Sequence, residues 1–129
     1  MTDFARLMSD YFVKYLAGQK GSGSNTMKTY RDTFVQLLEF MDEKKHIRAD
    51  CIEVDSFSYD IINEFLEYLE KEKRVSISTR NNRLAAIRSF FKYTGYHEPK
   101  YLNISTSIRE ISKKKTEGRQ MNYLSVNAM

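Results

Sequence analysis

Apolar residues return every three or four positions along most of this chain, and no other feature narrows its possible folds as far. In residues 2–17, Phe4, Leu7, Met8, Tyr11, Phe12, Tyr15 and Leu16 make one stripe. Met27, Tyr30, Phe34, Leu37, Leu38 and Met41 make a second, in a helix expected to start behind Ser24 as N-cap and to end near His46. A third helix is expected after Ser58, with Asp60 in its first turn, where a carboxylate suits the helix dipole; Ile61, Ile62, Phe65, Leu66 and Leu69 form its apolar face. Leu84, Ile87, Phe90 and Phe91 mark a fourth, capped by Ser78 or Thr79 and running to about Tyr93. A strand alternates its faces every two residues and cannot use such a period. With 5 Gly and 1 Pro there are also too few turn residues for a β-sandwich or barrel.

The breaks between these stripes set the organisation. Residues 18–23 hold three glycines and read as a connection. Residues 47–57 read as a loop, with room for an extended piece, and 73–77 as a turn. Gly95 reads as a helix stop, and Pro99 bars easy continuation. Residues 103–120 are polar and basic and read as a linker, with one helical turn allowed at 105–112. Tyr123, Leu124 and Val126 form a short apolar piece near the end. The expectation is an all-α four-helix bundle over residues 1–102, followed by a basic C-terminal linker over 103–129.

Several function classes fall away. One cysteine, Cys51, cannot form an internal disulfide or a cysteine-rich zinc site, and fits a reducing, intracellular setting. No apolar run approaches the roughly 18 residues of a membrane span, and the N-terminus lacks the apolar core of a secretory signal. His46 and His97 stand apart from each other and from any metal-ligand pattern, so no metal or other cofactor is expected. The glycines of GQKGSGS have the wrong spacing for a phosphate-binding loop. The carboxylates lie on solvated helix faces. No active site is visible, and the chain is not expected to be an enzyme by itself.

Charge is unevenly spread. Residues 1–70 carry 8 Lys/Arg against 13 Asp/Glu, a balance of −5, whereas residues 71–119 carry 13 against 4, a balance of +9. A dipolar chain with one basic half points to a polyanionic partner, most commonly nucleic acid. The fourth helix concentrates this signal. On a 100° wheel Asn81, Ala85, Arg88 and Lys92 form one strip and Asn82, Ala86 and Ser89 the next, with no acid among them. Arg can fork onto phosphate or guanine, Asn can pair with adenine, and alanines let a backbone come close. Thr79 and the helix N-terminus add donors for a phosphate. The candidate DNA-contacting set is Thr79, Arg80, Asn81, Asn82, Arg83, Arg88 and Lys92, joined by Lys28 and Arg31 one turn apart on the second helix. Glu64, Glu67 and Glu70 of the third helix would repel phosphate and are expected to face away.

These residues also form a recognisable pattern. Ser24-Asn25-Thr26 followed by Tyr30, Phe34, Leu37 and Phe40 resembles the opening of the core-binding domain of tyrosine recombinases, the phage integrase family. Asn82-Arg83-Leu84-Ala85-Ala86-Ile87-Arg88-Ser89-Phe90-Phe91-Lys92-Tyr93 resembles that domain's last long helix, and Tyr123-Leu124-Ser125 resembles the start of the family's catalytic domain. The family's Asn-Pro pair after that helix is absent, since Asn103 is followed by Ile104. The resemblance implies a SAM-like fold that closes one side of a clamp on double-stranded DNA near the crossover site. The basic stretch with Arg109, Lys113, Lys114, Lys115 and Arg119 would pass along the duplex. It implies further partners: a catalytic domain of the same polypeptide and other recombinase protomers, in a bacterial cytoplasm and on the nucleoid when bound. Cleavage by a nucleophilic tyrosine would belong to that other domain, because none of the nine tyrosines here sits in such a motif. Two other readings remain: a stand-alone helical DNA-binding regulator, and a helical protein-interaction module with no nucleic acid.

Overall fold

A computed structural model describes residues 2–19 and 23–115. It contains α1 (Asp3–Asp10), α2 (Ser24–Lys45), α3 (Tyr59–Lys71), α4 (Ile77–His97) and α5 (Leu102–Arg109), with no strand among the described residues. The all-α expectation holds, with one helix more than the four read from the sequence. Short 3₁₀ turns at Ala49–Cys51 and Val54–Ser56 replace the extended piece allowed in the 47–57 loop, and they bury Ile52 and Val54.

The helix ends follow from local hydrogen bonding. The Ser58 side chain accepts from the Ile61 N–H at 3.2 Å, as its sequence predicts. Ser24 instead lies inside the first turn of α2. Gly23 takes the half-in position with extended backbone, and its carbonyl accepts from the Met27 N–H at 3.1 Å. Neither Ser78 nor Thr79 caps α4, which begins a little earlier. Ser76 accepts from the Thr79 N–H at 3.0 Å and donates to the Thr79 hydroxyl at 3.1 Å. The first helix does not stop at Gly18 but runs on through Tyr11–Gln19 with π-helical turns.

Gly95 is likewise not a stop. It lies within α4, which ends at His97, and it is where α5 crosses. A Cβ at Gly95 would fall 2.6 Å from the Ser105 Cβ and 2.7 Å from its Oγ. The missing side chain is therefore what lets the two helices touch. Gly95→Ala should add up to about 1 kcal/mol of helix propensity. Overpacking typically costs about 1–3 kcal/mol, so the expected net effect is a lower midpoint in thermal unfolding.

The stretch expected to be linker from residue 103 thus begins as a helix on the bundle. Ile108 and Ile111 are fully buried and Ile104 packs against the core. Their spacing is helical, but the intervening Ser, Thr and Asn obscure it. Tyr123, Leu124 and Val126 lie outside the described residues.

The core centres on Phe90. Its ring lies 5.2–5.6 Å from those of Phe4, Tyr11, Phe34 and Phe91, all edge-on, which joins α1, its π-helical continuation, α2 and α4. A second tie joins the start of α1 to the turn before α5: the Tyr101 hydroxyl donates to Asp3 at 2.8 Å. Burial and the neighbouring Asp3 carboxylate push the Tyr101 phenol up to about 12. A phenol that ionises later in the folded state than in the unfolded chain, where the ordinary value is about 10, contributes stability fully present below pH 10 and lost as pH rises toward 12. Urea midpoints should therefore fall between pH 10 and 12, and Tyr101→Phe should flatten that fall.

Candidate nucleic-acid interface

α4 crosses between α2 and α5, so its outward strip forms the floor shared by two open grooves. Ala85 borders both. On one side Asn25, Thr26, Thr29 and Tyr30 of α2 face Asn82, a lining of hydroxyls and amides without a charge. On the other, a groove of about 610 Å³ holds Arg88, Ser89 and Lys92 of α4, Thr106, Arg109 and Glu110 of α5, and Tyr15. Three cations thus meet one carboxylate there. Among the described residues Arg88, Lys92 and Arg109 form no ion pair. Unpaired cations that share a concave wall with a small residue leave their donors open to an anionic partner.

The other residues read from the helical wheel are placed differently. Arg80 is buried at 5% exposure, donates to the Ser112 carbonyl at 3.1 Å and to Asn81 Oδ1 at 3.0 Å, and lies 3.6 Å from Glu70. Asn81 is engaged by the Lys114 backbone. Arg83 is half-buried against α2, 3.4 Å from both the Thr29 carbonyl and the Thr33 hydroxyl. Ala86 is fully buried rather than outward. The Thr79 N–H is taken by Ser76. Lys28 is exposed and pairs with Asp32 at 3.0 Å, and this contact holds the Asp32 carboxyl below its ordinary value. Arg31 lies apart from the cationic groove, on the rim of an apolar one lined by Met8, Phe12, Val13 and Leu38. Asn82, Arg88 and Lys92 are therefore the candidates that share the open surface. Asn25, Thr26, Thr106 and Arg109 join them there; the sequence marked Arg109 for the basic stretch and Asn25 and Thr26 only as part of the family motif, and did not mark Thr106.

The acids of α3 divide. Glu64 and Glu67 line a separate surface with Lys44 and Lys45 of α2. Glu70 does not face away with them but turns to the start of α4, where it meets Arg80 and Lys114. Its carboxylate is used to hold cations in place, not to repel phosphate. His46 closes α2 in a left-handed conformation, and His97 packs on Tyr93 with ring centres 4.2 Å apart.

The family described as "Phage integrase, N-terminal SAM-like domain" matches residues 10–100. The chain belongs to the phage integrase, or tyrosine recombinase, family. It is 30% identical over 120 residues to a Sinorhizobium fredii protein named as integrase/recombinase y4rC, covering 93% of this chain and 36% of that protein. A second from the same organism, named y4rD, is 32% identical over 111 residues, 86% of this chain and 40% of that protein. Tyrosine recombinase XerC of Herpetosiphon aurantiacus is 36% identical over 84 residues, covering 65% of this chain and 26% of its own length. This integrase-family chain therefore spans well under half of the curated relatives it matches. No solved structure matches it. The SAM-like expectation from the motifs on α2 and α4 is met by the family match and by the all-helical fold. No described helix is long and apolar enough to cross a membrane.

Proposed function

We propose that this domain grips duplex DNA on the surface where α2, α4 and α5 meet, as the DNA-binding arm of a site-specific recombinase or integrase. The observation that carries this reading is the cationic groove of Arg88, Lys92 and Arg109 beside Ala85, three cations with no ion-pair partner among the described residues. In such a surface the cations hold phosphates and set the register, while the neutral groove at Asn82 and Thr26 offers amide and hydroxyl groups to base edges. The partners are double-stranded DNA, a catalytic domain of the same polypeptide and other protomers, in a bacterial cytoplasm and on the nucleoid when DNA-bound. Strand cleavage belongs to the catalytic domain. The 129-residue chain with a nicked or intact duplex should yield no covalent protein–DNA adduct, and an adduct on any of its tyrosines overturns that division.

Orientation is tested by two single variants. Arg88→Ala should weaken duplex binding by about 1–3 kcal/mol if it reaches a base edge, and less at a phosphate. Glu67→Ala, on the α3 surface, should leave binding unchanged or slightly stronger. The reverse pattern in folded proteins would turn the molecule around on its ligand. A second reading has its own observation: the apolar groove with Val13 66% and Val35 49% exposed suits a protein partner. Were that the only interaction surface, Val35→Glu would abolish complex formation while duplex DNA went unbound at any salt concentration.

A further inference from the structure

We infer that Asn81, Arg80 and Glu70 form a latch that fixes where the polypeptide leaves the helical bundle. After Ile111, the last buried residue described, residues 112–115 are exposed and carry no helix. Nothing apolar holds them. They are held by polar groups on the start of α4 and the end of α3.

The Asn81 amide does this as a strand neighbour would, by offering one donor and one acceptor to one residue. Its Nδ2 donates to the Lys114 carbonyl at 2.7 Å, and its Oδ1 accepts from the Lys114 N–H at 2.9 Å. Arg80 supports the pair from beneath, donating to Asn81 Oδ1 at 3.0 Å and to the Ser112 carbonyl at 3.1 Å. Glu70 closes the cluster by accepting from Lys114 Nζ at 3.0 Å beside the buried Arg80 guanidinium. Two elements, the end of α3 and the start of α4, thus converge on Ser112 and Lys114 in a stretch of chain that would otherwise be free to swing.

Such a latch has two consequences. The chain up to residue 115 is held in one place, beside the N-terminal turn of α4. The Asn81 amide is also already in use, so any ligand that took it would have to release the strap. Asn81 and Arg80 are then positioning residues for the chain exit, separate from the open groove of Arg88 and Lys92. The latch holds whether or not the domain binds DNA.

The test places a nitroxide label at position 115 by Lys115→Cys in a Cys51→Ser background of the full 129-residue chain. The expected result is a broadened, immobilised spectrum in the parent and a narrow, mobile one in Asn81→Ala, with Ser78→Ala on the same turn leaving the label immobilised. Tryptic cleavage after Lys113, Lys114 and Lys115 should speed up by about tenfold in unlabelled Asn81→Ala, the loss of two modest hydrogen bonds, while the thermal midpoint of the bundle moves little. Lys114→Pro removes the N–H that Asn81 accepts without altering any helix, and decides the matter if Asn81→Ala fails to fold. A label equally mobile in the parent and in either variant, or equal cleavage rates, overturns the latch.

Discussion

Replacing Phe90 with alanine is expected to cost about 3–5 kcal/mol of stability, the range for removing a buried aromatic ring. Phe90 is fully buried, and its ring has edge-on neighbours from three helical segments and from Phe91. No single neighbour can collapse into the vacated space without leaving another partner. The loss therefore includes transfer energy, cavity energy and four ring contacts together. Against a total stability of about 5–15 kcal/mol, that is a large fraction, and a marginal chain would unfold near physiological temperature. Tyr96 provides the contrast: it is 84% exposed, and Tyr96→Ala should shift stability by no more than about 0.5 kcal/mol. Urea unfolding followed by circular dichroism separates the two. Near-equal midpoints would mean that the core does not centre where the ring geometry places it.

The second large effect concerns the groove. Converting Arg88, Lys92 and Arg109 together to glutamine keeps most of each side chain and removes three charges that have no ion-pair partner among the described residues. Glutamine avoids a packing penalty that alanine would add through loss of the long stems. If each cation neutralises one phosphate, the log–log salt slope should become shallower by about 2.7. Charge-assisted hydrogen bonds are worth about 1.5–3 kcal/mol each, so loss of three should lower affinity at low salt by about a thousandfold or more. The same substitution at Arg80 would not report on DNA in this way. That guanidinium is buried against Glu70 and the 112–115 strap, and its loss would act through folding.

Much of this architecture is legible in the sequence because it depends on period. Leu84, Ile87 and Phe91 all face the core as their spacing requires, and Ser58 caps α3 where a hydroxyl precedes an apolar run. The errors share a different cause. Gly95 looks like a stop by local propensity, but α5 packs directly on it, so tertiary contact overrides the local preference. Ile104, Ile108 and Ile111 carry a helical period that the surrounding polar residues and the basic run at 113–115 disguise as linker. The wheel of α4 ranks Arg80, Asn81 and Arg83 with Arg88 and Lys92, since all five lack acidic neighbours on the helix itself. What distinguishes them comes from elsewhere: Glu70 on α3, Thr29 and Thr33 on α2, and the strap after α5. A single-helix projection contains none of those partners. The neutral groove went unread for the same reason, because Asn25, Thr26 and Thr29 become a site only when α2 lies beside Asn82.

The central claim, that the α2–α4–α5 surface is a phosphate-binding face, is tested most directly by titrating the chain with a fluorescent duplex across a range of salt concentrations. The expected result is binding whose log affinity falls linearly with log salt, with a slope near −3 or steeper, and a slope about 2.7 shallower when Arg88, Lys92 and Arg109 are all glutamine. Binding that does not change with salt, or an unchanged slope in a folded triple variant, would contradict it.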